Sequence, residues 1–252
     1  SLAAGQAIWL GAFVAIVVGI LGLFFARDIL MLMGADESVV ETGASYTRIM
    51  FGGCFTIVFL FLINAIFRGA GDASLAMRAL TLANCINIVL DPCLIYGYGP
   101  FPELGLTGAA VATNIGRGIG VLYGLYYLCG GGGRIHLHLN NLRVQLMVLF
   151  SLVRISIGGV SQFLVATASW VFLMQIVSGF GSEAVAGYTI AVRVVMFSIL
   201  PAWGLSNAAA TLVGQNLGAG LPERAEQTVW KIVKYNSIYM GMAALVTLLF
   251  VH

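Results

Sequence analysis

Apolar residues run through this chain in long, nearly unbroken blocks separated by short polar stretches. Seven blocks are long enough to cross the roughly 30 Å hydrocarbon core of a bilayer as helices rising about 1.5 Å per residue, near 3–25, 45–67, 79–97, 106–128, 147–177, 184–213 and 229–252. The pattern predicts an all-α membrane protein of about seven transmembrane helices. The connections, at 27–42, 68–78, 97–105, 130–143, 179–183 and 215–224, hold most of the charges and the helix breakers.

Alternate connections differ in sign. Those after the second, fourth and sixth blocks carry Arg68 and Arg78, then Arg134 and Arg143, then Arg224, with Lys231 and Lys234 close behind. The opposite side offers Arg27 beside Asp28, Asp36, Glu37 and Glu41. Cytoplasmic loops are enriched in Lys and Arg, so 68–78, 130–146 and 214–228 are expected in the cytoplasm, and the first and last spans run outward. A multi-pass protein of the cytoplasmic membrane, with the lipid bilayer as its first partner, is the expectation.

Composition agrees: 60% of residues are hydrophobic and 9% charged, against about a quarter charged in a soluble domain. A net charge of +2 spread over scattered basic residues excludes a nucleic-acid footprint. Cys54, Cys85, Cys93 and Cys129 lie in apolar runs without metal-ligand spacing and read as small buried hydrophobes. His136 and His138 alternate with leucine and isoleucine in the longest polar connection, which is half of a metal site at most. Gly116, Gly118 and Gly120 lie within a span, with no preceding strand and no following Lys-Ser, so a nucleotide loop is excluded and close helix packing remains. No nucleophile–base constellation exists, so neither an enzyme nor a cofactor is expected.

The connection after the fourth block contains four consecutive glycines, Gly130 to Gly133. It reads as a flexible linker, 130–146, between a first bundle at 1–129 and a second at 147–252. Ala4-x-Gln6-x-x-Trp9 is echoed by Ala225-x-Gln227-x-x-Trp230, which places the first span on the seventh without a gap. Both spans start on the same inferred side, as a parallel repeat requires. The chain starts at Ser1 without an initiator Met and stops within an apolar block, which is expected of part of a longer chain.

Asp91 is the acidic residue set deep within a span, where a carboxylate costs several kcal/mol unless paired, hydrated or protonated. Asn84, Asn87 and Asp91, at i, i+3 and i+7, share one helical face, and Pro92 withholds a donor from the carbonyl of Ile88 and should kink the helix. A carboxylate, amide oxygens and a freed carbonyl are hard ligands suited to Na⁺, and a carboxylate with a raised pKa suits H⁺. A helix–helix hydrogen-bond cluster is the structural alternative. Asn64 either faces the same cavity or packs between helices. Arg117 is deep enough to need a partner, and Asp91 is one choice. Gln162 is a candidate lining residue of the second bundle or a helix contact.

Several stretches together resemble the multidrug and toxic compound extrusion (MATE) family: NAIFRGAGD at 64–72, NIVLD at 87–91, GPFPELGLTGAAVAT at 99–113, AGYTIAVR at 186–193 and LVGQNLGA at 212–219. The resemblance implies part of a twelve-helix, two-bundle fold, here the third to ninth helices, in a secondary exporter that exchanges cationic or amphipathic compounds for Na⁺ or H⁺. The Asn-x3-Asp resembles the DinF-like branch, which implies Asn87 and Asp91 as cation ligands with Asn64 and Thr113 lining the cavity, alongside Asn84, Arg117 and Gln162. A monomer is expected, with no nucleic-acid partner. The branch's other key acid belongs to a first helix that this chain does not contain. Alternatives are a flippase for lipid-linked saccharides, which prefers a cavity with several arginines, and a non-transporting membrane fragment.

Overall fold

The computed structural model describes residues 2–32, 37–130, 137 and 143–250, and their regular structure is entirely helical. The helices are α1 (Leu2–Leu32), α2 (Glu37–Gly52), α3 (Cys54–Gly69), α4 (Ala73–Tyr96), α5 (Leu106–Gly130), α6 (Leu146–Ser178), α7 (Ser182–Gly218) and α8 (Pro222–Phe250). The chain falls into two compact units, Ser1–Leu152 and Val153–His252. His136 and His138 and nearly all of 130–146 lie outside the described residues.

The block expected at 45–67 is two helices, α2 and α3, bent by 43° across the Gly52-Gly53 pair. Two adjacent residues without Cβ atoms weaken the helix there, and the chain turns. The connection expected at 27–42 is also shorter, because α1 continues to Leu32 and α2 starts at Glu37. Charged residues such as Arg27 and Glu41 extend these helices beyond the apolar block, and Arg27 Nη2 meets Glu37 Oε1 across the gap at 3.9 Å.

Among the described residues five helices, α1, α4, α6, α7 and α8, are long and apolar enough to cross a membrane, and the bent α2–α3 pair passes the same test when its two helices are taken together. α5 has the length but not the hydropathy, because six glycines, Asn114 and Arg117 dilute its apolar residues. One face of it is packed, with Gly108, Ala110, Ala112, Gly116, Gly120 and Leu128 buried and α2, α3 and α4 as its neighbours, while Ile115, Leu122 and Tyr126 stay exposed on the other. A Cβ at Gly116 would lie 2.7 Å from the Ala83 carbonyl, and one at Gly120 2.9 Å from the Ala83 Cβ. Between apolar helices in lipid, close van der Waals approach replaces the hydrophobic effect as the main source of cohesion, and small residues permit it.

Phe59, Leu60, Ile63 and Phe67 of α3, Leu75 and Ala83 of α4, and Val121 and Leu128 of α5 form the core of the first unit. α1 covers α2 and α3. Gln6 of α1 is fully buried and grips the chain just before α6: its Nε2 donates to the Arg143 carbonyl at 2.7 Å and its Oε1 accepts from the Gln145 N–H at 3.0 Å. Its counterpart in the sequence echo, Gln227, is exposed.

In the second unit α7 packs on α8, and α7 continues through Pro201. Beside that proline, the Ala202 carbonyl accepts from Ser206 Oγ at 3.1 Å and from Asn236 Nδ2 of α8 at 3.4 Å. α6 buries none of its described side chains, and exposed residues such as Phe163, Phe172 and Phe197 give this unit an apolar surface suited to a bilayer rather than water. The cysteines depart from expectation. Cys54 is buried, whereas Cys85 and Cys129 are exposed on outward helix faces and Cys93 is half-buried.

Candidate functional site

α4 places Asn87 and Asp91 one turn apart, and Asn87 Nδ2 donates to Asp91 Oδ1 at 3.0 Å. The same Nδ2 lies 3.3 Å from Thr113 Oγ1 on α5, so three oxygen-bearing side chains from two helices meet at one level. The close approach of α4 and α5 follows from sequence. Gly116 lies against Ala83 and Asn87, and a Cβ at Gly108 would run into the Leu94 backbone. Larger residues at either glycine would push Thr113 out of reach of Asn87.

All three side chains are half-buried. Among the described residues no Arg or Lys comes within ion-pair distance of Asp91. The Arg117–Asp91 pair that sequence allowed is therefore not formed. Arg117 sits half-buried one turn beyond Thr113 on α5, with no hydrogen bond or ion pair among the described residues. α4 continues through Pro92 to Tyr96 without a break.

The other sequence candidates sit apart. Asn84 shares the face of Asn87 and Asp91 but is exposed and makes no hydrogen bond among the described residues. Asn64 is fully buried in α3, where its Nδ2 donates to the Leu60 carbonyl of its own helix at 2.7 Å and its Oδ1 has no partner. It makes no hydrogen bond to Asn87, Asp91 or Thr113. Gln162 is an exposed residue of α6 in the second unit. Among the described residues no group of three or more His, Cys, Asp or Glu is arranged to hold a metal.

Sequence reading missed Asn114, whose Oδ1 accepts from Thr56 Oγ1 at 3.1 Å and whose Nδ2 donates to the Ile49 carbonyl at 3.0 Å. The available signal was the adjacent polar pair Thr113-Asn114, one turn before Arg117, within a span rich in small and apolar residues.

Long apolar helices with exposed apolar faces, and polar side chains paired between them at Asn87–Thr113 and Thr56–Asn114, define a polytopic membrane protein. Comparison with known proteins makes this specific. The MatE family model matches residues 1–93 and 159–252, and the chain belongs to that family of transporters. It is 28% identical over 240 residues to a probable multidrug resistance protein, YoeA, of Bacillus subtilis (strain 168), covering 94% of this chain and 52% of that relative. It is 30% identical to the probable multidrug resistance protein NorM of Thermotoga maritima, covering 85% of this chain and 47% of the relative. A Shewanella oneidensis relative, 27% identical over 88% of this chain and 49% of its own length, is named an FAD transporter. Among solved structures, a transporter of the MOP superfamily from Pyrococcus furiosus superposes with a TM-score of 0.88 at 27% identity, covering 98% of this chain and 55% of that one. That structure's description states that a binding pocket of reverse polarity suggests a different function. The chain thus spans about half the length of the curated relatives it matches.

Proposed function

We propose that this chain is part of a secondary multidrug exporter of the cytoplasmic membrane, working as a monomer, in which inward movement of Na⁺ or H⁺ drives efflux of cationic or amphipathic compounds. The observation that carries the reading is the Asn87–Asp91–Thr113 cluster, a carboxylate without a counter-cation among the described residues, in a chain of the MatE family. Such a carboxylate needs a cation or a proton to be tolerated in the membrane. Asp91 takes the ion, Asn87 orients the carboxylate, and Thr113 offers a hydroxyl oxygen. Asn84 and Arg117 line the cavity of the first bundle at a distance from the ion, and Gln162 is a polar lining residue of the second bundle. The bundles at 1–129 and 147–252 alternate access about the connection at 130–146, and loops 68–78, 130–146 and 214–228 lie in the cytoplasm.

The decisive experiment is efflux of ethidium by the full-length protein in proteoliposomes under an imposed Na⁺ or pH gradient. Asp91→Asn is expected to abolish cation-driven efflux. Unchanged efflux would remove Asp91 from the mechanism, and the gradient that supports transport identifies the ion.

One observation favours a second reading of the cargo. Arg117 is half-buried near the cluster without an ion-pair partner among the described residues, and an unpaired cation in a membrane cavity suits an anionic cargo. The Shewanella relative's name points the same way. Counterflow of a flavin nucleotide, lost in Arg117→Gln while ethidium efflux persists, would support it.

A further inference from the structure

The break between α2 and α3 is held from two sides. From α1, the Ala15 carbonyl accepts from Cys54 Sγ at 3.0 Å, and Gly22 leaves room for the Phe51 ring that a Cβ would overlap. From α5, a single side chain bridges the break: Asn114 Nδ2 donates to the Ile49 carbonyl before it, and Asn114 Oδ1 shares with the Gly53 carbonyl the one hydrogen of Thr56 Oγ1 after it. A Cβ at Gly53 would collide with the Asn114 carboxamide, so glycine at 53 is what admits the bridge. Asn114 Nδ2 also donates to the Ala110 carbonyl of its own helix at 3.1 Å, which fixes the rotamer.

The residue before it, Thr113, takes part in the candidate cation site. Successive helical residues point about 100° apart, so α5 presents Thr113 to α4 and Asn114 to the bent span at one height. A shift of α5 along or about its axis moves both together.

We propose that Asn114 is a positioning residue for the candidate cation site: it fixes the bend of α2–α3 against α5 and so holds Thr113 at its distance from Asn87. This rests on the reading of Asp91 given above. Asn114 itself touches neither ion nor cargo. Its loss leaves no orphaned group at the break, because the Ile49 carbonyl also accepts from the Gly53 N–H at 2.9 Å and Thr56 Oγ1 has the Gly53 carbonyl at 2.8 Å. Asn114→Ala should therefore fold.

The test uses the full-length protein in liposomes and two readouts, amide hydrogen exchange over residues 50–57 and the cation concentration giving half-maximal dye efflux. Asn114→Ala is expected to speed exchange about fivefold or more, as loss of a bridging hydrogen bond would. It should raise the half-maximal cation concentration about tenfold, the scale of an outer-shell loss, with the maximal rate nearly unchanged. Gly53→Ala should do the same by displacing the carboxamide, and the double variant should be no worse than either single one, because both remove one interaction. Unchanged exchange in Asn114→Ala, additive effects in the double variant, or faster exchange with an unchanged cation requirement would each overturn the proposal. Exchange is read without any cation, so failure of the Asp91 reading, seen as efflux surviving in Asp91→Asn, is told apart from failure of the bridge.

Discussion

Asp91 has one amide donor, Asn87, and no neighbouring cation among the described residues, so its carboxylate depends on that amide for orientation. Removing a group that orients a metal ligand typically weakens affinity about 10- to 100-fold. Asn87→Ala is accordingly expected to raise the cation concentration for half-maximal efflux while folding normally, and a titration of efflux against Na⁺ or pH measures it. Asn64 poses the opposite case. Its Oδ1 is buried without a partner, and an unsatisfied buried polar group costs about 1–3 kcal/mol. Asn64→Leu is therefore expected to leave thermal stability unchanged or raised. Loss of efflux in that variant would show that the carboxamide serves transport, whereas lowered stability would mean that its oxygen has a partner in the complete protein.

The α4–α5 pair is where small residues decide the geometry. Gly116 cannot gain a side chain without driving α4 away, whereas a Cβ at Gly118 would meet only Thr56 Cγ2 at 3.8 Å. Gly116→Leu is expected to destabilise by about 1–3 kcal/mol, the usual cost of overpacking, and Gly118→Ala to be neutral. Thermal unfolding in detergent checks the pair, and equal effects would refute the packing account. Spacing alone places Gly116 and Gly120 on one face of the helix and Gly118 on the opposite one. Which of them touches a neighbour depends on the rotation of α5, and only tertiary contacts fix that. The break at Gly52-Gly53 is a similar case: hydropathy continues across it, and the turn is set by α1 and α5 holding the two sides.

For the whole molecule, the arrangement of Lys and Arg implies that the turn between α7 and α8 faces the cytoplasm. A cysteine replacing Leu221 is expected to react with an impermeant maleimide in inside-out vesicles and not in intact cells; the reverse pattern would invert the topology. The sequence by itself determined that this protein lives in lipid, that it is helical and where most spans lie, and it singled out Asp91 with Asn87 as the candidate pair. Those features follow from local quantities: run length, hydropathy, and the one face shared by residues three and four apart. The tertiary structure decided what depends on neighbours distant in the chain. It packed one face of α5 against three neighbouring helices, bent the second span, brought Thr113 within hydrogen-bond distance of Asn87 while leaving Arg117 without an ion pair among the described residues, and paired Asn114 with the bent span. Burial and hydrogen bonding between helices are properties of pairs, and a single helix does not encode its partner.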